Sequence, residues 1–144
     1  MVLFSQDRIL VPVDFSDKSL QAVREAVEFA QQASAVHVVH VLKVLEATDP
    51  GVVWETVNDD QRKEAIQKLF DENFSDSQYA GLNFSIQKGD PAAEIVDYAE
   101  NHQIGLVVMP SRGRTGLSRF FMGSTAERVI RFAHCPVLVL RDDS

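Results

Sequence analysis

One cysteine, Cys135, stands in 144 residues, so no internal disulfide can form. A reducing compartment, the cytoplasm, is the expected setting. The four histidines carry no zinc-ligand spacing. No apolar run approaches the ~20 residues that cross a bilayer. Met1 to Gln6 lacks the basic region of a signal peptide, and Asp7 and Arg8 interrupt any apolar run there. Neither a P-loop ending in Gly-Lys-Ser/Thr, nor G-x-G-x-x-G, nor a G-x-S-x-G elbow occurs, so the two commonest phosphate-loop enzymes and an elbow-type catalytic triad have no support. Positive charge is scarce too: 14 Lys and Arg face 21 Asp and Glu, a net charge of −7. Repulsion from polyanions argues against nucleic-acid binding, and nothing favours membrane insertion. Small molecules and proteins are the expected partners.

The chain has enough apolar material, 45% of residues, for one core. One domain over 1–144 is expected at this length. Ile9-Leu10-Val11-Pro12-Val13 reads as a central strand, with Pro12 tolerable only at its carboxyl end. Asp14 and Ser16 supply cap-type side chains, and Leu20, Val23, Val27 and Ala30 recur at helical spacing. Val36 to Leu42 reads as a second buried strand. A long connection from Lys43 to about Asn58, with Trp54, has the length of a lid or interface. Ile66, Leu69, Phe70 and Phe74 form the inner stripe of a second helix. Leu82, Phe84 and Ile86 alternate with polar residues, which places a third strand near a sheet edge. Asp90 is set to cap a helix with Pro91 in its first position and Ala92, Ile95 and Ala99 inward. Ile104 to Met109, Ser124 to Phe132 and Val137 to Leu140 complete the pattern as strand, helix and strand. Strict alternation of strand and helix predicts an α/β fold: an open five-stranded parallel sheet with helices on both faces.

In such a sheet, ligands settle outside the carboxyl ends of the strands. Pro12-Val13-Asp14, Val41, and Met109-Pro110-Ser111-Arg112-Gly113 reach that edge. Ser124 and Glu127 have capping-box spacing, so a helix should start there with its free amides outward, an arrangement that attracts phosphate. Five arginines, Arg112, Arg114, Arg119, Arg128 and Arg131, crowd this region against Glu127 alone. Two readings fit: an anion site, or a capped helix among solvated arginines.

The segments Ile9-Leu10-Val11-Pro12-Val13-Asp14, His40-Val41, Gly89-Asp90-Pro91, Val108 to Gly116, Gly123-Ser124 and Cys135 to Val139 together resemble the universal stress protein family, over essentially the whole chain. The family's nucleotide-binding branch carries G-x2-G-x9-G-[ST]; Gly113, Gly123 and Ser124 match it, and Pro110 replaces the first glycine. The resemblance implies a Rossmann-like fold of the adenine nucleotide alpha hydrolase type. It implies that Asp14 holds the adenine or ribose edge, that Pro12, Val13 and Val41 flank the base, and that Ser111, Arg112, Gly113 and Arg114 grip phosphates with Gly123, Ser124 and Thr125. Met109 enters this loop as the end of its strand. The implied ligand is ATP, ADP, AMP or a cyclic nucleotide, with Mg2+ through the phosphates. Proline at 110 removes an amide donor, which keeps the phosphate count open, as well as a nucleotide-free protein.

Other constellations are weaker. His37 and His40 lie on opposite strand faces, against paired metal ligation. Cys135 reads as a small core residue. Ser111, Asp14 and His40 could meet at the strand ends, yet no elbow motif supports a triad. Val137 to Leu140 reads as an edge strand, and the resemblance implies a twofold homodimer through it. The expected function is an adenine-nucleotide-binding stress-response regulator that signals to an unknown protein partner. The alternatives are a nucleotide-independent interaction module and a slow ATPase, the latter without an evident base for water.

Overall fold

The computed structural model describes residues 5–44, 58–111 and 123–141. The β-branched runs form strands β1 (Ile9–Pro12), β2 (Val36–Leu42), β3 (Asn83–Lys88), β4 (Leu106–Pro110) and β5 (Val137–Leu140). All pairings are parallel, in the order β3-β2-β1-β4-β5. The alternating sequence of β3 and the charged flank of β5 accordingly lie at the two edges, and apolar β1 lies at the centre.

Among the described residues four α-helices follow their sequence signals: α1 (Asp17–Ala30), α2 (Asp59–Asn73), α3 (Pro91–Asn101) and α4 (Ser124–Phe132). Ser16 caps α1 by accepting from the Ser19 amide at 3.3 Å, and Asn58 caps α2 through the Gln61 amide at 2.8 Å. Asp90 caps α3 through the Ala93 amide at 3.0 Å, with Pro91 at the first position. Each such cap stabilises its helix by about 1 kcal/mol.

The odd residues of β1 and even residues of β2 face α1 and α2, where Ile9, Val11, Val36 and Val38 pack with Val23, Phe70 and Phe74. Leu10 and Val39 face the other way, onto Ile95 and Tyr98 of α3 and Val129 of α4. The helices therefore cover both faces. Their connections diverge between β1 and β4, which is the topological switch point of a doubly wound sheet.

Several boundaries differ from the sequence expectation. Ile104 is buried in the turn before β4, its amide on the Ala99 carbonyl, because the ladder with β1 begins only at Leu106. Leu69 is 40% exposed, so α2 holds the sheet through Phe70 and Phe74, and Phe70 stacks on Phe84 of β3. Trp54 lies outside the described residues.

Gly89, between β3 and the α3 cap, has φ +145° and donates its amide to the Leu42 carbonyl at 2.9 Å. A side chain there would meet only the flexible end of Glu94, so the cost of substitution is conformational. Gly89→Ala should lower the unfolding free energy by about 1–3 kcal/mol, measured by urea denaturation. An unchanged midpoint would show that the turn relaxes without strain.

Candidate functional site at the switch point

Pro12 ends β1 and Pro110 ends β4, and their orientations follow from the hydrogen bonds beside them. The Val13 amide donates to Val39 of β2 at 2.8 Å, so the nitrogen of Pro12 faces β4. The Ser111 amide donates to Leu140 of β5 at 3.1 Å, so the nitrogen of Pro110 faces β1. Two nitrogens without hydrogen thus meet across one seam, where neither can extend the ladder. Pairing between β1 and β4 stops at Leu10 and Val107. Pro110 therefore gives up an amide that would have faced β1.

Beyond β1 the chain makes a tightly bonded turn. The Ser16 amide donates to Asp14 Oδ1 at 3.0 Å, and the Asp14 amide to Ser19 Oγ at 3.3 Å. Ser19, 2% exposed, also donates from its hydroxyl to the Ser16 carbonyl. Phe15 takes the left-handed conformation, φ 62°, and its ring lies against His40 and Phe84. Sequence reading identified Asp14 but missed Ser19 and Phe15. Ser19 had a legible signal, its spacing from the Ser16 cap, whereas the positive φ of a phenylalanine has none.

Beyond β4 the chain reaches Ser111, whose carbonyl accepts the Gly123 amide at 2.7 Å. This bond closes the exit of β4 onto the start of α4. Gly123, extended at φ −65° and ψ 152°, is the N-cap residue, and Ser124 is the first helical residue. The capping box expected of Ser124 and Glu127 therefore does not form: the cap falls one position earlier, on Gly123, with no side-chain cap bond. Because Gly123 is held by Ser111, its carbonyl starts the helix by accepting from the Glu127 amide at 3.0 Å. Ser124 is exposed and Thr125 half-buried at this end.

The structure thus brings Pro12, Val13 and Asp14, Met109, Pro110 and Ser111, and Gly123, Ser124 and Thr125 to one edge, with Val41 at the end of β2. Side chains divide differently from a simple sandwich. Val13 is 5% exposed in the core under α1, so it presents backbone, whereas Val41 packs on the opposite face. Arg112, Gly113, Arg114 and Arg119 lie outside the described residues. Arg128 and Arg131 are engaged with carboxylates: Arg128 makes a two-pronged pair with Asp90 at 2.9 and 2.8 Å, and Arg131 pairs with Glu127. The Arg128 pair holds the Asp90 carboxyl below its usual range.

His37 and His40 indeed part to opposite faces. His37 Nδ1 meets the Tyr98 hydroxyl at 2.8 Å, and His40 Nδ1 meets the Val13 carbonyl at 2.8 Å. Burial holds both imidazoles below the ordinary histidine value. Burial also pushes the Cys135 thiol up, as befits a packed residue rather than a nucleophile. Among the described residues no three His, Cys, Asp or Glu side chains gather as metal ligands, and no helix is long and apolar enough to cross a membrane. A groove of about 210 Å³ between α3 and α4 is lined by Ala92, Val96, Arg128 and Phe132, away from the candidate residues.

A five-stranded doubly wound sheet with its switch point left unzipped, and a helix amino end bonded to one lip, defines an α/β domain of the Rossmann-like class. Comparison narrows the class: the model of the universal stress protein family matches residues 6–141, and the chain belongs to that family. Universal stress protein MJ0531 of Methanocaldococcus jannaschii is 36% identical over 141 residues, covering 93% of this chain and 81% of that protein. The solved structure of MJ0577, from the same organism, superposes with a TM-score of 0.79 at 28% identity, covering 99% of this chain and all of that one. UspA from Lactobacillus plantarum gives 0.72 at 31% identity, covering 94% and 98%.

Proposed function

We propose that this chain is one domain that binds an adenine nucleotide in the switch-point crevice and acts as a homodimeric stress-response regulator in the cytoplasm. The observation that carries this reading is the 2.7 Å bond from the Gly123 amide to the Ser111 carbonyl, which sets the amino end of α4 beside the open seam of β1 and β4. The first amides of α4 then offer donors and a positive dipole end to phosphate. The Asp14 carboxylate stands across the seam as an acceptor for ribose hydroxyls or an adenine amino group. In this reading Arg112, Gly113 and Arg114 complete the phosphate grip, and Mg2+ accompanies a di- or triphosphate. Regulation then works through occupancy, which alters contacts with a protein partner; hydrolysis is not required.

Homodimerisation through β5 is supported by its position at the sheet edge, with Leu138 39% exposed and Phe132 and Ile130 of the preceding helix 61% and 43% exposed. The same apolar rim favours a second reading, an interaction module that needs no nucleotide. Mass spectrometry of nucleotide released from freshly purified protein, calorimetry with ATP, ADP, AMP and cyclic AMP, and sedimentation equilibrium separate the two. The expected result is a dimer with micromolar or tighter affinity for at least one of them. A dimer that releases no nucleotide and gives no heat with any of the four supports the interaction module instead.

A further inference from the structure

The ladder between β1 and β2 stops one rung early. The Val13 amide donates to the Val39 carbonyl, and the next bond of a parallel ladder would run from the Val41 amide back to the Val13 carbonyl. Pairing nevertheless ends at Pro12 and Val39. The Val13 carbonyl accepts from His40 Nδ1 at 2.8 Å instead. A carbonyl only accepts, so Nδ1 carries the proton. The backbone groups of His40 and Leu42 point to β3, where the Leu42 carbonyl accepts from Gly89; those of Val39 and Val41 point to the β1 side. Among the described residues no bond runs from the Val41 amide to the Val13 carbonyl, and that amide sits where β1 turns away into Asp14.

We propose that His40 is a positioning residue of the candidate site: by capturing the Val13 carbonyl it leaves the Val41 amide open to an acceptor on the bound ligand and fixes the turn that carries Asp14. The ligand half of this statement rests on the nucleotide reading above; the diversion of the carbonyl does not. Phe15 reinforces the device from the other side. Its ring centroid lies 5.3 Å from that of His40, and its left-handed backbone swings the chain off the β1 axis at the point where the ladder fails. The imidazole is thus clamped between the carbonyl it holds and the ring that covers it.

Two variants test the assignment, read by amide hydrogen exchange on the ligand-free protein and by calorimetry with ATP. In His40→Leu the Val13 carbonyl is released to the Val41 amide, whose exchange should slow by about tenfold while ATP binding weakens by about tenfold, one hydrogen bond each way. His40→Asn places an amide N–H near the position of Nδ1 and should return both values to within about threefold of the parent. If the leucine variant does not fold, His40→Gln, whose amide reaches past the Nδ1 position, takes its place against asparagine. Exchange at Val41 that is the same in every variant overturns the proposal, as does full ATP affinity in the variant that lacks the donor. If the parent protein gives no heat with ATP, ADP, AMP or cyclic AMP, the nucleotide reading fails, while the exchange rates still decide whether His40 diverts the carbonyl.

Discussion

Replacing Asp14 by alanine should weaken ATP binding by about 10- to 100-fold while the domain stays folded. A carboxylate that accepts from a ligand hydroxyl or amino group contributes about 1.5–3 kcal/mol, which converts to that range. The structure also gives Asp14 an internal duty, since Oδ1 accepts the Ser16 amide ahead of α1. Alanine loses that bond as well, at about 0.5–1.5 kcal/mol of stability, a modest part of the 5–15 kcal/mol typical of a domain. Asp14→Asn separates the two duties. Its amide oxygen keeps an acceptor for Ser16 but not the charge, so stability should return and affinity only partly recover. Calorimetry and urea denaturation read the two quantities. Parent-like affinity in the alanine variant would remove Asp14 from the site.

Ser124→Pro should leave stability within about 0.5 kcal/mol of the parent and reduce ATP affinity by about tenfold or more. Ser124 is the first helical residue, a position where proline is favoured because its amide has no partner within the helix. Gly123, extended at ψ 152°, already has the geometry required of a residue before proline. The substitution therefore removes one amide and one hydroxyl from the crevice without disturbing α4. Were Ser124 the cap instead, the same change would cost about 0.5–2 kcal/mol of stability. Equal loss of stability and affinity would restore the capping box, and unchanged affinity would exclude the amino end of α4 as the phosphate grip.

The fold was legible because its signals are local and redundant. Val36 to Leu42 has no reading other than a buried strand, and Asp90-Pro91 announces the start of α3 with a cap and a first-turn proline together. Pro12 was legible as a strand end because it has no amide to donate. Less visible was anything that depends on which way a backbone group points. That Pro12 and Pro110 face each other follows from the sheet order, which no stretch of sequence contains. Arg128 and Arg131 counted toward an anion site by proximity along the chain; the packing of α3 against α4 gives Arg128 to Asp90. The shift of the cap from Ser124 to Gly123 turns on one long-range bond, to Ser111, which outweighs a local motif. His40 could be read as packed within its strand, but the carbonyl it takes belongs to Val13, the residue that follows β1.

The paired prolines have a consequence for how a guest would be received. A gap between strands ordinarily heals by adding rungs, so an incoming molecule must compete with the sheet itself. Here both lips lack the hydrogen needed to close, like a zip whose last teeth were never cut. An occupant there has no ladder bond to break, and by bridging β1 to β4 it would fasten together two halves of the sheet joined by just two ladder pairs. Loading the crevice should then be felt as far away as β5, at the edge of the sheet.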